Sequence, residues 1–274
     1  MTATVPASPE TPTAEVRIER DGSIGWLVFD HETRRNAMTV GMWQALPRLC
    51  QELEDDDDIR VVILRGAGEK AFVAGADISQ FNEVRTGGSA TTYDQATALG
   101  YTAIETLAKP TLAMIHGVCV GGGLAISFCA DIRYAADDAR FALPPAKLGL
   151  GYSPAGTAKI VDLLGPAVTK EIVYTGNIYD AETALRWGMV NHVRPKADLE
   201  TYVREQAEVM ATRAPLTQRA TKLAVAAHLA GHRSDGSDLL ERAEAAAKGC
   251  FASADYAEGV AAFMEKRSPV FRGH

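Results

Sequence analysis

The 274-residue sequence predicts an α/β fold, and three observations carry that prediction. Near-continuous apolar runs, RVVILRG (60–66) and TLAMIHGV (111–118), read as strands covered on both faces. Segments with apolar residues at helical spacing alternate with them, as a helix-covered sheet requires. Beyond about residue 195 the strand signals stop and only helical patterns remain. The chain thus divides into an arm (1–13), an α/β core (14–197) and a helical C-terminal region (198–274).

The arm is rich in Pro, Thr and Ala, too poor in large apolar residues to pack, and reads as disordered. It has neither the basic nor the apolar region of a signal peptide. VRIER (16–20) and IGWLVFD (24–30) read as strands joined at Asp21-Gly22, a hairpin signal. Met42, Leu46, Leu49, Cys50 and Leu53 are helically spaced within 39–53, and Asp55 to Asp58 read as a solvated turn. A helix is expected around 90–108. In the tail, 198–213, 216–230, 237–249 and 254–267 read as helices, the last capped by Ser253.

Composition excludes several functions. An apolar fraction of 47% with 23% charged residues is that of an ordinary globule, and the formal charge of −7 argues against nucleic acid or an anionic membrane as partner. No run approaches the ~18 apolar residues of a membrane span. Cys50, Cys119, Cys129 and Cys250 show no CxxC spacing and read as reduced, packed thiols, which fits a cytoplasmic location. The six histidines form no metal-ligand pattern. Trp26, Trp43 and Trp187 read as core, and His116 as a packed, hydrogen-bonded histidine.

Chemistry is concentrated in two glycine-centred loops, AFVAGADI (71–78) and VGGGLAI (120–126), each following a strand. Side by side, such loops could aim two backbone N–H groups at one oxygen, an oxyanion hole. Tight turns alone would account for the same glycines. A dinucleotide site fits less well, because neither the triple glycine nor Gly149-Leu-Gly151 completes GxGxxG with a ribose acid. Residues 124–131 offer few reactive side chains: Ser127, Cys129 and Asp131.

Asn36-Ala37-Met38, AFVAGADI, HGVCVGGGLAISFCADIRYA (116–135), FALPPAKLGLGY (141–152) and the closing AEGVAAFMEKRSPVF (257–271) together resemble the crotonase superfamily, the enoyl-CoA hydratase/isomerase family. The resemblance runs in order over about residues 14–271. It implies a ClpP-like spiral core of repeated ββα units with perpendicular sheets. It further implies a C-terminal helical region that builds homotrimers or hexamers, and an acyl-CoA thioester as substrate, with no separate cofactor and no metal. On that resemblance the oxyanion donors are the amides of Ala76 and Gly122. Arg34, Arg35, Ala37, Ala74, Phe263 and Lys266 are expected to meet the coenzyme A portion, the last two across a subunit boundary.

Two departures matter. Where hydratases of the family carry glutamates, this chain has Ala125 and Pro145, which cannot transfer protons. Tyr152 is the best remaining side chain, in a KLGLGY segment similar to that of methylmalonyl-CoA decarboxylase, a member that also lacks both glutamates. That member has histidine where this chain has Ala76. The expected activity is therefore an oxyanion-stabilised thioester enolate outside the two-glutamate route. Decarboxylation, hydrolysis and acyl-CoA binding without turnover are the alternatives. Asp94 and Glu105 are further carboxylates near the expected acyl pocket, 80–100 reads as its lid with Arg85 toward the acyl group, and Asp77 and Asp131 read as structural.

Overall fold

The expected hairpin forms first: β1 (Glu15–Asp21) pairs antiparallel with β2 (Ile24–Asp30), and Gly22 turns the chain at φ +56°. This computed structural model describes residues 14–77, 88–231 and 236–274; the N-terminal arm, Arg85 and Gly87 lie outside them. After the hairpin, helix α1 (Val40–Asp55) begins at Thr39, whose hydroxyl accepts the Met42 N–H, and lays Met42, Trp43, Leu46, Leu49 and Leu53 on the core.

The strands β3 (Val61–Gly66), β5 (Thr111–Ile115), β7 (Ile132–Ala136) and β10 (His192–Arg194) extend the hairpin in parallel, in the order β1-β2-β3-β5-β7-β10. A second sheet orders β4 (Ala71–Val73), β6 (Val118–Val120), β8 (Arg140–Ala142) and β9 (Tyr179–Asp180). Each of β3, β5 and β7 is thus followed by a strand of the small sheet and then by a helix: α2 (Gly88–Glu105), α3 (Gly122–Ser127) or α4 (Pro154–Thr175). This is the repeated ββα unit. The short helix α5 (Ala181–Arg186) then leads to β10.

The run 111–118 is not one strand, as its apolar continuity suggested. Gly117 takes φ +56°, and a Cβ there would lie 2.1 Å from Lys70 O, so the chain bends and passes from the large sheet to the small one. The apolar continuity of β2 and β3 has its reason in two cores. Leu27, Phe29, Val62 and Leu64 face one, with α1; Trp26, Val28, Val61 and Ile63 face the other, with Leu199, Val203 and Ala207 of α6 (Lys196–Ala211). Each such side chain contributes about 1.5–3 kcal/mol by burial, so neither face tolerates polar residues.

Helices α7 (Pro215–Ala230), α8 (Gly236–Phe251) and α9 (Ala254–Glu265) complete the tail. Ser253 caps α9 as expected, accepting the Tyr256 N–H at 3.0 Å. The helix stops two residues early because Lys266 adopts the left-handed conformation at φ +56°. Buried Asp255 then fastens the C-terminus by accepting the N–H groups of Arg272 and Gly273 at 2.6 and 2.8 Å.

Candidate active site

The two glycine loops meet. Met38 N donates to Gly75 O (2.8 Å) and Asp77 N to Met38 O (3.0 Å), an isolated parallel bridge between Met38 and Ala76. In that pattern the Ala76 N–H faces the opposite side, away from Met38. Gly75 brings this loop to the start of α3: it holds φ +104°, and a Cβ on it would lie 3.1 Å from Val120 O and 3.9 Å from Gly122 N. Gly122 is the first residue of α3, where an N–H has no intrahelical partner. With only six residues α3 has a small macrodipole, so the amide itself rather than the helix field would carry any interaction with an oxygen.

The three glycines have three different reasons. Gly121 takes φ +56°, which other residues rarely adopt. Gly123 packs α3 on β4 so closely that a Cβ would sit 2.0 Å from Val73 O. Gly122 is constrained by neither: its φ is ordinary, and a Cβ would meet nothing closer than Trp43 Cζ2 at 3.5 Å, with Tyr101 OH at 3.7 Å and the Gly75 carbonyl carbon at 3.9 Å. The protein's own packing leaves room for a side chain there.

Asn36 organises the flank of the site. It is buried at φ +58°, its Nδ2 donates to Ala67 O and Ala71 O, both at 2.9 Å, and its Oδ1 accepts the His31 N–H. This staple holds Arg34, Arg35 and Ala37 beside the Ala74–Asp77 loop: Ala74 N donates to Arg35 O at 3.0 Å, and Arg34 reaches buried Asp77 at 3.2 Å. The Arg34 and Arg35 side chains remain exposed. Phe263 and Lys266 do not join this group. They are exposed around the end of α9, and no hydrogen bond or ion pair among the described residues ties them to either loop.

One face of α3 stays open. Gly122 and Ala125 are half-buried along it while Gly123, Leu124, Ile126 and Ser127 face the core. Just past the end of α3 lies Cys129, buried, with its thiol 3.3 Å from Ala125 O. Around it gather Glu105, the last residue of α2, and Lys159 of α4, which form an ion pair; Cys129 Sγ is 3.2 Å from Glu105 Oε1 and 3.4 Å from Lys159 Nζ. Tyr152 also borders Cys129, and burial foremost, with the thiol second, raises its phenol to about 12. Its hydroxyl has no hydrogen-bond partner among the described residues. Buried Pro145 opens an otherwise exposed 3-10 turn (Pro145–Leu148), and Asp94 is exposed on α2.

The remaining candidates are structural. Asp131 accepts from Thr111 N and Oγ1 and from Lys222 Nζ. Trp26 and Trp43 are buried and Trp187 half-buried. His116 is buried as expected, but its Nε2 has no hydrogen bond, and burial lowers its affinity for a proton. Among the described residues no group of three or more His, Cys, Asp or Glu could hold a metal, and no helix is long and apolar enough to cross a membrane. Sequence reasoning missed Lys159 altogether. Its signal was a single cation in the otherwise apolar start of α4, whose partners lie thirty and fifty-four residues away.

Comparison with known proteins gives consistent results. The enoyl-CoA hydratase/isomerase family model matches residues 19–274. The chain is similar to a short-chain-enoyl-CoA hydratase of Clostridium acetobutylicum, 32% identical over 255 residues that cover 92% of this chain and 95% of that one. It is also similar to a carnitinyl-CoA dehydratase of Escherichia coli, 35% identical over 268 residues, 94% and 98% of the two chains. Among solved structures, an enoyl-CoA hydratase/carnithine racemase from Magnetospirillum magneticum superposes with a TM-score of 0.86 at 35% identity, covering 93% of this chain and 94% of the other.

Proposed function

Because this chain belongs to the enoyl-CoA hydratase/isomerase family, we propose that it is an enzyme acting on an acyl-CoA thioester whose carbonyl oxygen accepts the N–H groups of Ala76 and Gly122. The observation that carries this reading is Gly122: the fold would accommodate a methyl group there, so the space beside its amide is the room a thioester needs. Charge developing on the oxygen as the thioester becomes an enolate strengthens both hydrogen bonds, and one such donor is worth about 3–4 kcal/mol in the transition state.

Proton transfer cannot follow the two-carboxylate pattern, since Ala125 and Pro145 stand at those positions. Tyr152 is the side chain we assign to the reacting end. Its raised affinity for the proton keeps it a neutral donor at physiological pH, suited to giving a proton to an enolate carbon and unsuited to removing one. Such a site favours reactions in which the enolate arises without a base. In loss of carbon dioxide from a 2-carboxyacyl thioester, the C2–carboxyl bond breaks, its electron pair enters the thioester carbonyl, and a proton from Tyr152 completes C2. Arg34 and Arg35 supply local positive charge for coenzyme A phosphates on an otherwise acidic protein.

Phe263 and Lys266 fit the adenine end only if a neighbouring subunit supplies them. We accordingly propose a homotrimer, alone or paired as a hexamer, formed through the exposed apolar side chains of the tail, Phe251, Tyr256, Val260 and Met264 among them. Titration of acyl-CoA thioesters against wild type and Gly122→Ala tests the carbonyl site. Binding that is lost in the folded variant supports it, and unchanged binding overturns it. Tight binding with no product from any thioester would instead favour a carrier.

A further inference from the structure

We propose that the indole N–H of Trp43, with the Tyr101 hydroxyl beside it, donates to a carboxylate on C2 of the acyl group and so selects 2-carboxyacyl thioesters. This rests on the reading that the thioester carbonyl sits on Ala76 and Gly122, and it names what holds the group next to that carbonyl. Trp43 is 1% exposed and packs as a core residue, yet its Nε1 has no hydrogen-bond partner. A buried donor left unpaired costs about 1–3 kcal/mol. Phenylalanine would fill most of the same core without that cost, so the N–H calls for an acceptor from outside the protein's own packing. The orientation of the ring says where that acceptor lies. A Cβ on Gly100 of α2 would lie 2.9 Å from Trp43 Cε3 and 3.5 Å from Cζ3, so that edge of the indole is closed by packing. Cζ2, on the opposite edge, is 3.5 Å from the Cβ position of Gly122. Nε1 is bonded to the same ring carbon as Cζ2, so the unpaired N–H belongs to the edge turned toward Gly122.

Tyr101 stands at the same place. Its hydroxyl is 3.7 Å from the Gly122 Cβ position, and its ring meets that of Trp43 edge to face with centroids 4.9 Å apart, which fixes the two side chains against each other. An indole nitrogen donates and cannot accept, so the ligand group that meets it carries an acceptor oxygen. Because the place adjoins the Gly122 amide, that oxygen is a few bonds from the thioester carbon, as on a C2 substituent, and not at the end of a long chain. A carboxylate offers two oxygens, one for Nε1–H and one for the Tyr101 hydroxyl, where a single hydroxyl or keto oxygen offers one. A methyl group in its place leaves the indole N–H unpaired. Neither donor is a cation, so the pair orients the carboxylate without the stronger charge-assisted bond that would oppose its departure as neutral carbon dioxide.

The test is isothermal titration of the full chain with the methylmalonyl and isobutyryl amide analogues of coenzyme A, in which nitrogen replaces the thioester sulfur. Both keep the carbonyl, the amide slows loss of carbon dioxide, and the two differ only in a carboxylate against a methyl group on C2. Wild type should bind the methylmalonyl analogue about tenfold tighter, as hydrogen bonds to a charged acceptor predict. Trp43→Phe should cut that ratio at least about threefold while the isobutyryl analogue binds as before. Should Trp43→Phe not fold, the indole N–H proton resonances of the wild type decide, assigned with Trp26→Phe and Trp187→Phe. The Trp43 signal should then move downfield with the methylmalonyl analogue and not with the isobutyryl one. Equal affinities in wild type, a ratio that Trp43→Phe leaves unchanged, or a Trp43 signal that responds alike to both analogues overturns the proposal. Binding of neither analogue overturns the carbonyl site, and this proposal with it.

Discussion

Gly122 and Gly123 are adjacent, chemically identical and opposite in what they predict. Gly123→Ala drives a Cβ into Val73 O and should cost about 3 kcal/mol or more, read as a lower denaturant midpoint. Gly122→Ala meets only ordinary contacts, so its melting temperature should stay near wild type while its methyl group fills the ligand space and thioester binding is lost. The pair separates packing from chemistry within one turn of chain. Tyr152→Phe should lower kcat about tenfold or more with thioester binding retained. Because the phenol is pushed up to about 12, it stays protonated as pH rises from 7 to 10, so kcat should show no alkaline decline from Tyr152 over that range. Residue-level legibility was uneven. The glycine loops announced themselves, because three glycines after an apolar strand have few explanations. Lys159 did not, because its meaning lies in residues distant in sequence that only the fold assembles.

At the scale of elements, the apolar strands were readable because two cores demand apolar side chains on both faces of β2 and β3. The division of 111–118 between two sheets was not, since a lone glycine in an apolar run does not reveal its φ. Asn36 is the clearest hinge between element and site. Asn36→Ala leaves Ala67 O and Ala71 O without their side-chain donor and should cost about 2–4 kcal/mol, with thioester affinity falling as the 34–38 segment loosens from the Ala76 loop. His116 gives a pH test at the sheet crossover. Its surroundings include Lys196, Arg65, Asp138 and the Gly68 backbone, and burial is the main cause of its lowered proton affinity. Below its ordinary value of 6.5 the unfolded chain binds a proton that the folded chain refuses. Stability should therefore fall as pH drops from 7 toward 5, and His116→Gln should flatten that slope in thermal melts.

At the scale of the whole molecule, the chain builds one half of its expected ligand surface. Arg34, Arg35, Ala74 and Ala76 converge, while Phe263 and Lys266 stay apart on an exposed helix. Light scattering should therefore give the mass of three or six chains, and Phe263→Glu should lower that mass and thioester affinity together; a wild-type monomer that still binds would contradict the proposed assembly. Product mass decides whether paired amides stabilise an enolate without a carboxylate partner. Purified protein would be incubated with crotonyl-CoA and, separately, with methylmalonyl-CoA. No addition of water to crotonyl-CoA is expected at an ordinary enzymatic rate, whereas methylmalonyl-CoA should lose carbon dioxide in a reaction that Gly122→Ala abolishes. Hydration of crotonyl-CoA at an ordinary rate would contradict this expectation, because another acid would then be doing the work assigned to none.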